Sequence, residues 1–254
     1  MVEALVKDFS PISLKDMDSV SLMDRTDTKF MFNVDRLPEI LASLKDQYFI
    51  LEIEGKRNFA YRSLYYDTDN LAFYNKHHAG FADRYKVRYR EYVETGDVFF
   101  EIKHRSNKGR TQKRRIHLDE LALSLDETTQ NFLTEKTNGI SLDIKPQLWI
   151  NFHRITLVNT QQPERVTLDT GLYFELDGKK SGFENLVIAE SKVDKTTRSA
   201  FVKCMKNLHI RKGSVSKYCL GIINMFPEVK SNRFKTKIHK LNKVINEHSS
   251  SDSE

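Results

Sequence analysis

Charged and apolar residues alternate along a series of short segments of this chain. Because side chains of a β-strand point to opposite faces in turn, a period of two predicts strands with one polar and one apolar face. The clearest case is 84–92, RYKVRYREY, in which arginine or lysine alternates with tyrosine or valine. Alternation of this kind, or enrichment in aromatic and β-branched residues, predicts further strands over 25–34, 59–67, 97–104, 111–118, 149–158, 165–169 and 186–191.

Apolar residues at helical spacing predict a smaller set of helices. One begins at Asp35 and has Pro38 in its first turn. Aspartate is favoured at the start of a helix, and proline is tolerated in the first turn. Others are predicted over 121–137, 196–208 and 217–226, and a short one within 68–78. The chain shows no βαβ rhythm and no linker, so the pattern predicts an α+β fold, an antiparallel barrel-like sheet with helices packed outside. This domain spans 1–229, and the basic segment 230–254 is predicted to form a frayed, partly disordered C-terminal tail.

The charges of the predicted strands fall on single faces. Residues two apart share a face, which groups Arg84, Lys86, Arg88 and Arg90; Glu101, Lys103 and Arg105; Lys113, Arg115 and His117; Arg25, Asp27 and Lys29; Arg165 and Asp169; and Glu190 and Lys192. For any one strand, a solvated outer face is the commoner interpretation. Taken together, these faces are dominated by arginine and lysine, which would repel one another unless an anion lay among them.

If the sheet closes, the charged face becomes a lumen lined with cations, which is suited to phosphate. The scattered carboxylates Asp27, Glu101, Asp169 and Glu190 are then candidate ligands for Mg²⁺ or Mn²⁺, and their alternative role is to pair with the surplus cations. Glu190 is favoured as the ligand, because the apolar residues 187–189 before it leave the strand little other reason to carry a charge.

Composition limits the kind of partner and the compartment. The formal net charge of +6 over 254 residues fits an anionic partner, and the charge alone does not separate nucleic acid, membrane and phosphorylated small molecules. The chain lacks the exposed aromatic and glycine pattern of RNA-binding sheets, so no nucleic acid is expected. It also has no signal-peptide pattern and no apolar run of membrane-spanning length. Cys204 and Cys219 are interpreted as reduced thiols, and the protein is expected in the cytoplasm.

Nine short motifs, in order, resemble the catalytic domain of the vacuolar transporter chaperone (VTC) polyphosphate polymerases. They are RTDTKF, SLYYDT, KVRYREY, FFEIKH, KRRIHL, FHRIT, ERVTLD, IAESK and SKYCLG, and they run from about Arg25 to Gly221. That group belongs to the triphosphate tunnel metalloenzymes, which also include triphosphatases and class IV adenylyl cyclases. The resemblance implies an eight-stranded antiparallel β-tunnel in which ATP and a metal bind and the γ-phosphate passes to a growing polyphosphate chain.

The resemblance also implies which residues form the site. The catalytic set would be Lys29, Arg88, Arg90, Lys103, Lys113, Arg154, Arg165 and Lys217, and Glu190 would be the metal ligand. From the strand faces, Lys86, Arg115 and Lys192 are added as phosphate-binding residues and Glu101 as a second metal ligand. Mn²⁺ or Mg²⁺ is the expected cofactor. The histidines at 77, 78, 104 and 117 are interpreted as structural or exposed, and Tyr65, Tyr66 and Tyr89 as packing residues.

Two departures from the family pattern bear on the activity. Arg25 and Asp27 stand where triphosphatase branches carry glutamates, which favours polymerisation over hydrolysis. Ser214 stands where the family often has a lysine, and Arg211 or Lys212 would have to replace it.

The sequence alone leaves several hypotheses for the function open. Besides the polymerase, these are a triphosphatase or nucleotide cyclase on the same fold, and a non-catalytic sensor that binds polyphosphate or a nucleotide. The expected partners are ATP and inorganic polyphosphate. Translocation of the polymer would require a separate membrane subunit, which would place the protein at a membrane periphery. The basic segment 230–243 is a candidate docking patch for it, and a solvated terminal helix is the commoner interpretation of such a segment.

Overall fold

The computed structural model describes residues 2–19, 25–137 and 143–246. Its strands are β1 (Pro11–Ile12), β2 (Arg25–Asn33), β3 (Phe49–Leu51), β4 (Phe59–Asp67), β5 (Arg84–Tyr92), β6 (Asp97–Arg105), β7 (Thr111–Leu118), β8 (Lys145–Asn159), β9 (Glu164–Leu176), β10 (Lys179–Phe183) and β11 (Leu186–Asp194). Its α-helices are α1 (Val2–Leu5), α2 (Leu14–Ser19), α3 (Leu37–Leu44), α4 (Ala72–Ala79), α5 (Glu127–Lys136), α6 (Ala200–Asn207), α7 (Lys217–Met225) and α8 (Lys235–Ile245). Single 3₁₀ turns occupy Val34–Arg36 and Asn232–Phe234.

Eight strands form the main path of the sheet, in the order β2-β11-β9-β8-β4-β5-β6-β7. Every pairing along this path is antiparallel. The predicted eight-stranded antiparallel architecture and the α+β class are therefore confirmed. The short strands β1, β3 and β10, which no alternation pattern indicated, attach beside this path.

The strand path does not close on itself within the described residues, because β2 and β7 are not paired. The segment before α7 lies along the free side of β2 instead. The amide of Gly213 donates to the carbonyl of Lys29 at 2.9 Å, and Lys212 forms an isolated bridge with Phe30. Strand β7 carries charges on both faces at 113–115 and is exposed there, a pattern that disfavours pairing at a sheet edge. The expected closure by strand pairing is thus corrected to a curved, open sheet.

The outer face of the sheet carries the predicted helices. α3 and α6 cover it at β2, β8, β9 and β11, where Phe30 meets Phe201 edge-on with ring centroids 5.7 Å apart. α5 covers β5 and β6, and its Leu133 packs in a cluster with Phe100. These three helices bury the apolar half of the alternating pattern, so the charged half must face the other side.

Helix α7 packs on the inner face, opposite the face that α3, α5 and α6 cover. It contacts Leu148 and Phe174 so closely that a Cβ on Gly221 would lie 2.6 Å from Leu148 Cδ1 and 2.8 Å from Phe174 Cδ1. Strand β9 contains an irregularity at its pairing with β8, where Gly171 has φ of +59°. This irregularity keeps both Asp169 and Phe174 on the inner side although they are five positions apart, a spacing that places residues of a regular strand on opposite faces.

The inner face therefore has three zones. One end is apolar and covered by α7. The other end is apolar as well, and Phe59 and Val158 pack there against Ile12 and Met17 of the N-terminal segment. The charged residues of the alternating strands occupy the middle.

Several element boundaries differ from the predictions. Within the predicted helix 121–137 only Glu127–Lys136 is helical, and within the predicted helix 196–208 only Ala200–Asn207 is helical. Residues 232–245, assigned to the C-terminal tail, are helical, and Leu241 of α8 is buried. The residues of the tail from 247 onward lie outside the described residues. No described helix has both the length and the apolar character to cross a bilayer.

Candidate functional site

Strand register brings the predicted charged faces together into one surface. Directly paired residues share a face, and the pairs are Lys29 with Glu190, Lys192 with Asp27 and Arg165, Arg154 with Asp169, and Arg88 with Glu101. Curvature also brings β2 near β6, because Lys29 and Lys103 line the same cavity although these strands are far apart in the sheet order.

Glu101 is the centre of the first charged cluster. Arg88 Nε donates to Glu101 Oε2 at 2.8 Å, and Lys113 pairs with the same carboxylate. Burial would raise the pKa of Glu101, but Arg88, Lys113 and the nearby Arg90 hold it well below its usual range. Arg88 also donates from Nη1 to the hydroxyl of Tyr65 at 2.7 Å. Burial would raise the pKa of Tyr65 as well, and the surrounding cations lower it to about 8.

Asp169 organises a second cluster on β8, β9 and α7. Arg154 binds it in a bidentate manner, with Nε 2.6 Å from Oδ1 and Nη2 2.8 Å from Oδ2. Lys217, the first residue of α7, pairs with the same carboxylate. Burial opposes the charged form, but the two cations keep the pKa of Asp169 well below its usual range. A charged aspartate therefore fixes the position of two cations that come from different elements.

Glu190 forms the third cluster and is the most accessible of the three carboxylates. It pairs with Lys29 and lies 3.3 Å from Lys192 Nζ. Its side chain is 21% exposed, against 2% for Glu101 and 4% for Asp169. Asp27 lies nearby but is engaged by Arg25 at 3.1 Å.

Several lysines of this surface have lowered pKa values. Burial lowers the pKa values of Lys29, Lys113 and Lys192 to about 8, and neighbouring cations add to the effect at each of them. Lys103 has no carboxylate within ion-pair distance in the described parts of the chain, and burial together with Lys86 and Arg88 lowers its pKa. An anion placed among these side chains would relieve their repulsion.

A cavity of about 270 Å³ opens between the sheet and α7 and α8. Its basic lining residues are Lys29, Arg84, Lys86, Lys103, Arg105 and Lys237. Lys86 donates to the hydroxyl of Ser216 at 2.7 Å, just before α7. His77 lies 3.0 Å from the thiol of Cys219, and burial with the surrounding cations lowers its pKa to about 3, so it adds no charge. Ser214 also lines this cavity.

The remaining predicted residues lie around these clusters. Arg90 is buried, donates to the hydroxyl of Ser63 at 3.3 Å and lies over the ring of Tyr61. Arg165 reaches the N-terminal segment, where it donates to the carbonyl of Met17 at 3.1 Å. Arg115 is exposed on β7, with its guanidinium 4.4 Å from the ring centre of Phe99.

Two participants were not predicted from the sequence. Tyr65 was interpreted as a packing residue, yet its hydroxyl binds Arg88 among the cations. Its position two residues after Ser63 places it on the inner face, a signal that becomes readable once the strand register is known. Lys237 was assigned to the basic, partly disordered tail, and the packing of α8 brings it to the cavity.

A divalent cation would find few protein ligands on this surface. No cluster of three or more His, Cys, Asp or Glu suited to a metal occurs among the described residues. Mg²⁺ needs only one or two carboxylates when phosphate oxygens and water complete its coordination. Both Glu190 and Glu101 pair with two cations, but Glu190 is partly exposed and fits that arrangement, whereas Glu101 is almost fully buried.

Comparisons with known proteins identify a family and a similar fold. The family model described as the VTC domain matches residues 24–226. A solved candidate adenylyl cyclase from Hippeastrum, described as having a dominant triphosphatase activity, is 14% identical, covers 80% of this chain and 96% of its own, and gives a TM-score of 0.50. A candidate adenylate cyclase from Bacillus halodurans is 13% identical, with 80% and 100% covered and a TM-score of 0.49. A search of curated proteins returns no match.

Proposed function

Because the chain belongs to the VTC domain family, we propose that it is an ATP-dependent polyphosphate polymerase. It would transfer the γ-phosphate of ATP to the end of a polyphosphate chain and release ADP. The observation that carries this proposal is the middle zone of the inner face, where cations from several strands and α7 lie around the partly exposed carboxylate of Glu190.

The cations account for binding of a phosphate chain. Arg154 and Lys217 are held in place by Asp169, so they meet a ligand with little loss of side-chain freedom. Lys103 has no carboxylate partner in the described residues, and its charge is available to a phosphate oxygen. A triphosphate and the end of a polyphosphate chain present the same repeating anion, so one surface can hold both reactants.

The transfer itself requires positioning and charge neutralisation. The terminal oxygen of the chain attacks the γ-phosphorus, a new P–O bond forms, and the bond to the β-phosphate oxygen of ADP breaks. The attacking oxygen is already ionised at neutral pH, so no protein base is needed. Arginines 88, 90 and 154 would stabilise the charge that spreads over the transferred group.

Glu190 would hold the divalent cation, Mn²⁺ or Mg²⁺. When bound, such an ion supplies charge neutralisation at the phosphate oxygens. Lys29 and Lys192 flank Glu190 and would contact the same phosphates. Glu101, the other predicted ligand, is almost fully buried against Arg88 and Lys113, so its role would be to position those cations.

The product of the reaction tests the proposal. Purified protein is incubated with ATP and Mn²⁺, and the mixture is analysed for ADP and, on a gel, for a polymer that a polyphosphate phosphatase degrades. We expect ADP and polymer to accumulate together. Free phosphate without polymer would identify a hydrolase and reject polymerisation. Binding of polyphosphate without ADP formation would instead support a non-catalytic sensor.

A further inference from the structure

Helix α8 forms one wall of the cavity that adjoins the charged clusters. Lys237, Ile238 and Leu241 of this helix line the cavity opposite the lysines and arginines of β5 and β6. Lys29 lines the same cavity and also pairs with Glu190, so the cavity is continuous with the middle zone of the inner face. A chain that extends beyond that zone would enter this cavity.

The helix is anchored firmly enough to serve as a binding wall. Leu241 is buried in the cluster that contains α7. Asn33, at the end of β2, donates from Nδ2 to the carbonyls of Val244 and Ile245 at 3.2 and 3.3 Å. The turn before α8 is fixed as well, since Phe234 packs against the rings of α4.

Lys237 stands out among the exposed lysines of α8. Its ammonium is near enough to His77 and Cys219 to influence the titration of both, and these two residues line the cavity. Lys240 is equally exposed on the same helix but does not line the cavity. The helix thus offers one cation to the cavity and a matched one to solvent.

We propose that Lys237 binds polyphosphate chains longer than a triphosphate, at the point where they extend from the inner face between the sheet and α8. This inference rests on the proposed function and adds a binding residue to it. The opposing basic residues of β5 and β6 would hold the same stretch of chain from the other side.

Calorimetric titration with inorganic triphosphate and with a long-chain polyphosphate tests this role. In Lys237→Ala, the affinity for the long chain is expected to fall about tenfold, the loss typical of one charge-assisted contact. The affinity for triphosphate should fall far less. Lys240→Ala carries the same change in charge and helix propensity and should bind both ligands as the wild type does.

The outcomes separate this inference from the function on which it rests. Unchanged long-chain affinity in Lys237→Ala would overturn the role of Lys237 while wild-type binding of triphosphate still supports the function. Equal weakening in Lys240→Ala would also overturn it, because α8 would then attract polyanions as a diffuse basic surface. Absence of binding of either ligand to the wild type would reject the proposed function itself.

Discussion

At the scale of single residues, the site combines cations of two kinds. Arg88, Arg154 and Lys217 are held by buried carboxylates and are positioned before any ligand arrives. Lys103 lacks such a partner among the described residues, and burial together with Lys86 and Arg88 disfavours its charged form, which lowers its pKa. Residues of the second kind weaken the free protein and become favourable only when an anion binds, which is a common cost of a functional site.

Replacing Lys103 by glutamine should therefore raise the thermal stability of the free protein and weaken triphosphate binding. The substitution removes like-charge repulsion, so the melting temperature of the ligand-free protein should rise. It also removes a phosphate contact, so the affinity for triphosphate should fall about tenfold. Thermal unfolding and calorimetry measure the two effects, and a variant with lower stability and unchanged affinity would contradict this role of Lys103.

The lowered lysine pKa values predict how binding depends on pH. Lys29, Lys113 and Lys192 titrate near pH 8 in the free protein, and a bound phosphate would raise their pKa values by stabilising the charged form. Below pH 7 these lysines are charged in both states, so binding takes up few protons there. As the pH rises through 8 to 9, binding must add protons and the affinity for triphosphate should fall.

Titrations in buffers of different ionisation enthalpy measure this proton uptake directly. Lys192→Gln should reduce the uptake, since it removes one of the groups. An affinity that stays constant between pH 7 and 9 would show that these lysines do not contact the ligand.

Glu190 can be tested through the metal dependence of turnover. Glu190→Ala should abolish ADP formation in the presence of Mn²⁺ while metal-free polyphosphate still binds, because Lys29 and Lys192 remain in place. Asp27→Ala removes a nearby but more exposed carboxylate and serves as a control that should retain turnover. Full activity of Glu190→Ala would show that Glu190 does not hold the metal.

At the scale of elements, alternation gave most strands to within a few residues, because period-two patterns follow directly from burial of one face. Predictions were less accurate where packing decided the structure. The tail was predicted to be partly disordered, with a solvated terminal helix as the commoner interpretation of 230–243, and burial of Phe234 and Leu241 against α7 stabilises α8. Likewise, the position of α7 on the inner face depends on the irregularity of β9 near Gly171, which no local pattern revealed.

Gly221 links the packing of α7 to the site. Alanine at this position would place a methyl group against Leu148 and Phe174, and overpacking of this kind costs about 1–3 kcal/mol. The better helix propensity of alanine, about 1 kcal/mol, offsets only part of that cost. We expect lower stability to urea and weaker triphosphate binding, because Lys217 lies one turn away on the same side of α7. Higher stability with intact binding would refute this coupling. Thr134→Ala, on the exposed side of α5, is the matched control.

At the scale of the whole molecule, the open strand path, α7 and α8 together enclose one basic surface. The sheet supplies the clusters, α7 contributes Lys217, and the segment at 212–213 pairs with the free edge of β2. The family resemblance implied a strand-closed tunnel, whereas the sheet is open between β2 and β7 in the described residues and residues of α7 and α8 line a cavity beside its charged face. The location of positive charge, more than its total amount, should then determine what the protein binds.

Triphosphate binding to two double variants of equal charge tests whether the location of the positive charge determines binding. Lys103→Gln/Lys192→Gln acts on the inner face, and Lys203→Gln/Lys206→Gln acts on the exposed side of α6. Each pair removes two lysines, which lowers the formal net charge from +6 to +4. We expect an affinity loss of about 100-fold for the inner pair, at about tenfold per contact, and wild-type affinity for the outer pair. Equal losses in both pairs, or no saturable binding to the wild type, would contradict it.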